Sequence, residues 1–316
     1  MRSEGPSEDI RAYHVRTGQL RWTFHVLPRP EEFGHETWGE DSQKRSGGAG
    51  AWAALSADEE LGYIYLGTRS THNPWFGGHR PGENLFANSL LCLDARTGKR
   101  IWHHQLVHHD LWGYDLAAAP VLADIVVGGK PIKAVIAIPM TGFVFVFDRV
   151  TGKPVWPIDE RPVPVSTTPG EQAWPTQPFP TKPAPVDRQG VTVDDVIDFT
   201  PELRAEALEI LKPYVLGPIF TPPSVAAPGH TQGTYSIPGA AGGVNWNGPA
   251  FDPETGFLYA PSFTAPWVNS LIRPPPLVDA TIPYMHGPSL EAQSVMVKCC
   301  EWEIHGPDGL PLVKPP

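Results

Sequence analysis

The residues of this chain best suited to chemistry lie in a few short runs. His108-His109-Asp110-Leu111-Trp112-Gly113-Tyr114-Asp115 sets two imidazoles beside one carboxylate, with a second carboxylate five residues further on. Such groups bind metals and move protons, and they also brace a loop through hydrogen bonds. For an adjacent His-His-Asp run the bracing role is the commoner of the two. Asn73, in the loop before Gly77-Gly78, offers an amide oxygen that suits calcium, or alternatively caps the turn with Pro74. Asp115 is a carboxylate that could accept a proton if its loop turns it the right way.

The elements that position these runs follow from a repeat. Ala12-Tyr-His-Val-Arg-Thr17-Gly18-Gln-Leu-Arg-Trp22, Leu93-Asp94-Ala-Arg-Thr97-Gly98-Lys-Arg-Ile-Trp102 and Phe147-Asp148-Arg-Val-Thr151-Gly152-Lys-Pro-Val-Trp156 share one pattern. Each reads as a strand, a tight turn closed by Thr-Gly, and a second strand with Trp four residues after the Gly. Glycine supplies the positive φ of the turn, and the indole is large enough to wedge between neighbouring sheets. One Trp per all-β unit predicts a β-propeller.

A second pattern recurs at Trp52–Gly67 and at 246–261, where a Gly-rich loop and a Trp precede strand, acidic turn and Tyr-bearing strand. Tyr63, Ile64, Tyr65 and Leu66 are expected to form a fully buried run. Strands are expected at 88–95, 100–107, 134–138 and 143–147. Pro recurs every few residues from Pro154 to Pro185, which predicts an extended insertion over 154–232 lying on the surface. Within it, Thr200 as N-cap, Pro201 at the first position and an apolar face of Leu203, Ala207, Leu208 and Leu211 predict one helix over 201–212.

With 316 residues, 41% of them hydrophobic, the chain can bury a sizeable core. Its formal charge of −10 argues against a nucleic-acid partner, and no apolar run is long enough to span a membrane. Three cysteines, Cys92 and the adjacent Cys299-Cys300, make no disulfide framework. Blades of about 40–45 residues leave room for four to five four-stranded blades once the insertion is set aside. The chain is therefore expected to be a single incomplete propeller domain over 1–316, a fragment of a longer protein.

Taken in order, these motifs resemble the pyrroloquinoline-quinone (PQQ) dependent dehydrogenases, in particular the membrane-bound quinoprotein glucose dehydrogenase group. The residues carrying the resemblance are the three Thr-Gly-x-x-x-Trp repeats, Arg80-Pro81-Gly82-Glu83-Asn84-Leu85, His108–Trp112, Thr141–Phe145 before Asp148-Arg149, Gly217–Ser224 and Phe251–Gly256. The resemblance implies an eight-bladed propeller holding PQQ and Ca²⁺ near its axis. It implies a sugar or alcohol substrate oxidised by hydride transfer to PQQ, electrons passed to a membrane quinone, and a place in the periplasm at the inner membrane. Trp52 matches the family's aromatic floor under the quinone, the alternative being a blade-packing Trp. Asn245 and Trp246 match positions that contact the cofactor rim, the alternative being loop capping.

Three departures stand out. Where the family carries its catalytic Asp, directly after His-His-Asp-Leu-Trp, this chain has Gly113; where the glucose dehydrogenase group has a Lys before Thr-Gly, it has Met140. Related alcohol dehydrogenases ligate calcium through an Asn after Gly-Thr-Gly, and here the sequence reads Gly67-Thr68-Arg69-Ser70, leaving Ser70 and Asn73 as the metal candidates. Asp115 is the candidate substitute base. Losing a general base costs on the order of 10²–10⁴ in rate, so weak or absent turnover is expected. The alternative is a propeller that binds partners without catalysis.

Overall fold

The computed structural model describes residues 5–227, 229–276, 280–287, 304 and 306–314. Cys299 and Cys300 lie outside the described residues.

The sheets are mostly antiparallel and follow one another along the chain, the exception being the parallel pairing of Ser224–Val225 with Trp267–Ile272. Ile10–Tyr13 pairs with Leu20–Phe24. A four-stranded sheet then runs through Ser56–Asp58, Tyr63–Gly67, Ser89–Asp94 and Arg100–Gln105 in simple up-and-down order. The next contains Val121–Val127, Lys130–Ala137 and Phe145–Asp148, with a bridge from Phe147 to Pro154. Further along, Ala250–Asp252 pairs with Phe257–Tyr259, and Trp267–Ile272 collects Ser224–Val225, Thr234–Ser236 and Met285–His286.

The turns explain the repeated motif. At Asp94 the carboxylate accepts the backbone N–H groups of Arg96 and Thr97, and Gly98 closes the turn at φ +71 by donating its N–H to Asp94 O. Asp148 with Gly152 and Asp252 with Gly256 repeat the arrangement. An acidic side chain folded back on its own turn, followed by a residue free to take positive φ, fixes each hairpin. The tryptophans then join blade to blade. Trp22 donates its indole N–H to Ala95 O at 3.0 Å, and Trp102 to Arg149 O at 3.2 Å. Their rings lie against Gly98 and Gly152, where an added Cβ would stand 2.5 and 2.6 Å from the indole.

The main core lies between the 56–105 and 121–148 sheets, where Tyr65, Leu90, Trp102, Trp112, Phe145 and Phe147 are buried together. Arg149 stitches these sheets by pairing with Asp58 at 2.7 Å and Asp124 at 2.6 Å. Of the expected buried run, Tyr65 and Leu66 are buried while Tyr63 and Ile64 are only partly so. Tyr63 and Ile64 pair with Ser56–Asp58 on one side, and that short outer strand leaves part of them open.

The 154–232 segment is not purely a surface excursion. Ile158–Pro162 pairs with Thr176–Pro180, and Gln177, Ile219 and Phe220 are buried, the last two in the main core. Proline restricts ladder pairing, not burial of its neighbours, which is why composition alone misplaced these residues. The helix spans Pro201–Leu211 with Thr200 as its cap. Its Ala207 and Leu211 pack with Tyr235, Ile237, Val268 and Val313.

Candidate functional site

Four loops meet around one cleft of about 470 Å³. It is lined by Ser70, Thr71, Asn73 and Trp75 from the loop after Tyr63–Gly67, by Gly113 and Asp115, and by Met140 and Ala240. Backbone bonds lock the loops together. Met140 N–H donates to Asp115 O at 2.9 Å, and Gly243 N–H donates to Met140 O at 2.8 Å.

Asp115 is the organising group. Its Oδ1 accepts the Ser70 backbone N–H at 2.8 Å and the Ser70 hydroxyl at 2.9 Å, while Oδ2 accepts the Trp52 indole N–H at 2.9 Å. Burial pushes its pKa up, opposed by the hydrogen bonds from Ser70 and Trp52 and by the charge of Arg69. Ser70 Oγ also contacts Asp110 Oδ2, so one hydroxyl lies between two carboxylates. Asp110 is buried and accepts the N–H groups of Trp112 and Tyr114 at 3.0 and 3.1 Å. Burial raises its pKa to about 6; Ser70, the Trp112 N–H and Arg80 oppose the rise, and the charge of Asp115 adds to it.

His108 and His109 face away from this cleft and brace the loop. His109 Nδ1 meets Gly82 O at 2.7 Å and its Nε2 meets Glu171 at 3.1 Å. A ring nitrogen facing a carbonyl must carry a proton, so Nδ1 donates to Gly82 O and Nε2 is the atom set against the Glu171 carboxyl group. His108 Nδ1 faces Gln105 at 2.7 Å and Glu83 at 3.0 Å, and Nε2 faces Glu160 at 3.1 Å. Burial works against its charge, but Glu160 and Glu83 outweigh it and raise the pKa to about 9. Gln177 completes the brace, accepting from His108 N–H at 2.8 Å and donating to His108 O at 2.7 Å. Glu160, Glu171 and Gln177 all belong to the proline-rich segment, and no local spacing marks them in the sequence.

The remaining candidates are distributed as follows. Trp52 is 48% exposed beside Asp115, leaving much of its indole available to a flat ligand. Asn245 spends its amide within its own loop, donating to Ala241 O and accepting the Trp246 N–H. Trp246 is exposed, and neither residue is among those lining the cleft. Gly113 has φ +73, and a Cβ there would find its nearest neighbour, Pro74, at 3.8 Å. Met140 is buried and uncharged.

Thr71 Oγ1 and Asn73 Oδ1, on residues lining the cleft, are buried without a hydrogen-bond partner, as is Trp75 Nε1. Orphaned oxygens beside a carboxylate suit a hard cation or a polar ligand rim. Among the described residues no cluster of His, Cys, Asp or Glu could hold a metal, so any calcium would depend on Asn73, Thr71 and Asp115. The orphaned oxygens and the half-exposed indole beside Asp115 suit a flat polar ligand, whereas Gly113 and Met140 bring neither a carboxylate nor a cation to the cleft.

The family model described as PQQ glucose/ethanol/alcohol dehydrogenase, β-propeller domain, matches residues 1–316. The chain belongs to this family. It is 35% identical over 281 residues to a quinoprotein glucose dehydrogenase of Escherichia coli (strain K12), covering 83% of this chain and 32% of that protein. It is 35% identical over 256 residues to a quinate/shikimate dehydrogenase (quinone) of Acinetobacter baylyi, covering 80% and 30%. A solved quinohemoprotein alcohol dehydrogenase from Pseudomonas putida HK5 superposes with a TM-score of 0.58 at 23% identity, over 88% of this chain and 36% of that one, which shows the fold. The chain thus spans about a third of the length of the relatives it matches. Its sheets are blades of a quinoprotein β-propeller.

Proposed function

We propose that this chain forms the quinone-binding part of a PQQ-dependent dehydrogenase that oxidises a sugar or alcohol CH–OH and passes electrons to a membrane quinone, with catalysis weakened at Gly113 and Met140. The observation that carries the reading is Trp52 hydrogen-bonded to Asp115, whose cleft is lined also by Ser70, Asn73, Gly113 and Met140. When bound, PQQ supplies the hydride acceptor. The chain's own residues then have limited parts: Trp52 offers an aromatic face, Thr71 and Asn73 offer oxygens toward the ligand rim and Ca²⁺, and Asp115 is the cleft carboxylate able to take a hydroxyl proton. Its raised pKa makes it a stronger base than a solvated Asp, while its three hydrogen bonds restrain it. By family, the protein works in the periplasm at the inner membrane.

The test is titration of the protein with PQQ and Ca²⁺, followed by Trp fluorescence, with dye-linked oxidation of glucose and of simple alcohols. Quenching with slow turnover that Asp115→Asn abolishes is the expected result. No quenching at any PQQ concentration would remove the reading.

A second reading, a propeller that binds PQQ or a partner without turnover, is favoured by Gly113 and Met140, since neither can accept or hold a proton. Quenching without oxidation of any sugar or alcohol selects it.

A further inference from the structure

His108 borders a second cavity, of about 530 Å³, bounded by the Arg100–Gln105 strand, residues of the 33–37 loop and the Ile158–Pro162 strand of the proline-rich segment. That is the size of a small-molecule site. Glu36, Glu83 and Glu160 line it, and among the described residues no lysine or arginine does.

Glu83 and Glu160 lie on opposite sides of the His108 ring, meeting Nδ1 at 3.0 Å and Nε2 at 3.1 Å. Their side chains stay 30% and 50% exposed, so bracing His108 does not use up either carboxylate. Glu36 stands outside that brace, and its Oε2 accepts the Gly34 N–H at 3.0 Å. The other two imidazoles of the lining bring no positive charge. Arg100 donates to His103 Nδ1 at 2.8 Å, which puts the ring proton on Nε2; burial, helped by the Arg100 charge, lowers the His103 pKa to about 4. His104 Nε2 meets Gly152 O at 2.6 Å and must carry its proton, leaving Nδ1 as an acceptor, and burial lowers its pKa as well. The lining is therefore acidic and rich in acceptors, with His108 as its cation.

This charge repels anions. A bare metal ion does not fit either: among the described residues no group of His, Cys, Asp or Glu is placed to hold one, and His108 stands between two of the carboxylates. Separated carboxylates beside an apolar wall of Phe33, Leu85 and Ile158 match a flexible chain whose ammonium groups are spaced by methylenes.

We propose that this cavity binds an aliphatic polyamine, with its ammonium groups donating to Glu36, Glu83 and Glu160 and its methylenes lying on Phe33 and Ile158. Such a ligand ties the 33–37 loop to the proline-rich segment across the Arg100–Gln105 strand.

The experiment is calorimetric titration of the full chain with spermidine at low ionic strength, where charge pairing is least screened. Fluorescence of Trp174, whose ring lies 6.2 Å from that of His108, is followed in parallel. One spermidine per chain is expected to bind saturably, with an emission change that Trp174→Phe removes. Glu36→Gln, which leaves the His108 brace intact, should weaken binding about tenfold, and Glu83→Gln likewise. Should Glu83→Gln fail to fold, Glu36→Gln decides alone. Glu202→Gln with Glu209→Gln, on the exposed face of the helix, should leave the affinity unchanged, and 1,4-butanediol, which has hydroxyls in place of amines, should not bind. Equal affinity in Glu36→Gln and the parent chain overturns the proposal, since the amine is then a diffuse counterion of a chain of charge −10. Butanediol binding as tightly as spermidine overturns it too, and so does saturable Ca²⁺ binding that Glu36→Gln abolishes, by making the cavity a metal site.

Discussion

Trp52 donates its indole N–H to Asp115 Oδ2 at 2.9 Å, tying the Gly-rich loop of one blade to the acidic loop that follows the next strand pair. The same carboxylate holds the Ser70 backbone, so a single side chain ties the Trp52 loop to two walls of the cleft.

Removing that carboxylate should loosen the cleft. Asp115→Ala leaves the Ser70 N–H a buried orphan, at a cost of about 1–3 kcal/mol, while the half-exposed Trp52 indole loses its fixed acceptor and turns to water. Asp115→Asn keeps one oxygen for Ser70 but turns an N–H toward the Trp52 donor. Urea denaturation should therefore rank wild type above Asn and Asn above Ala. Trp emission should shift red in both variants, and an unchanged spectrum would place Trp52 elsewhere.

Restoring the family's residues should restore chemistry if the cleft is otherwise intact. A side chain at Gly113 meets nothing closer than Pro74 at 3.8 Å, and Asp tolerates positive φ better than most residues, so the backbone penalty is about 1–2 kcal/mol. Gly113→Asp with Met140→Lys should raise dye-linked oxidation with PQQ and Ca²⁺ by about 10²–10⁴ over the starting chain. Unchanged turnover, with quinone binding retained, would locate the defect outside these positions.

The hairpins and the helix were legible because their causes are local: Asp94, Thr97 and Gly98 make their turn from their own atoms, and Thr200 caps the helix it precedes. Ser70, Asn73, Gly113, Asp115 and Met140 could each be picked out by motif, and the fold brings them to one cleft. The bracing role of the His-His-Asp loop was read from its sequence, but the partners that do the bracing were not legible. Glu160, Glu171 and Gln177 reach it across 52 to 69 residues of sequence, and in a proline-rich stretch nothing periodic distinguishes a clamp from a solvated charge. The link from Asp110 to Asp115 through Ser70 was hidden for the same reason.

His108 makes stability depend on pH in the alkaline range. Both ring nitrogens face acceptors, and its folded pKa of about 9 stands above the ordinary histidine value. A group held protonated by folding contributes fully below about pH 6.5, and that contribution is lost as pH rises through about 9. Glu83 and Glu160 are partly solvated, so screening reduces the effect to on the order of 2 kcal/mol. Unfolding midpoints measured from pH 6 to 10 should fall over this window in wild type and run flat in His108→Gln.

Glu171 and His109 form an ion pair whose side chains are each 2% exposed, and Glu171 also accepts the Gly77 N–H. It joins the proline-rich segment to two of the loops that line the cleft. Deleting one partner of a buried pair strands the other charge, at a cost of about 3–5 kcal/mol, whereas an isosteric amide keeps an acceptor in place. Glu171→Ala should therefore destabilise the chain far more than Glu171→Gln. Paired with His109→Ala, the double mutant should lose less than the sum of the single losses, because the charge left stranded in each single mutant is gone. A strictly additive cycle would mean that the two side chains act independently and that the segment is held to the His108–Asp115 loop by Gln177 and Glu160 instead.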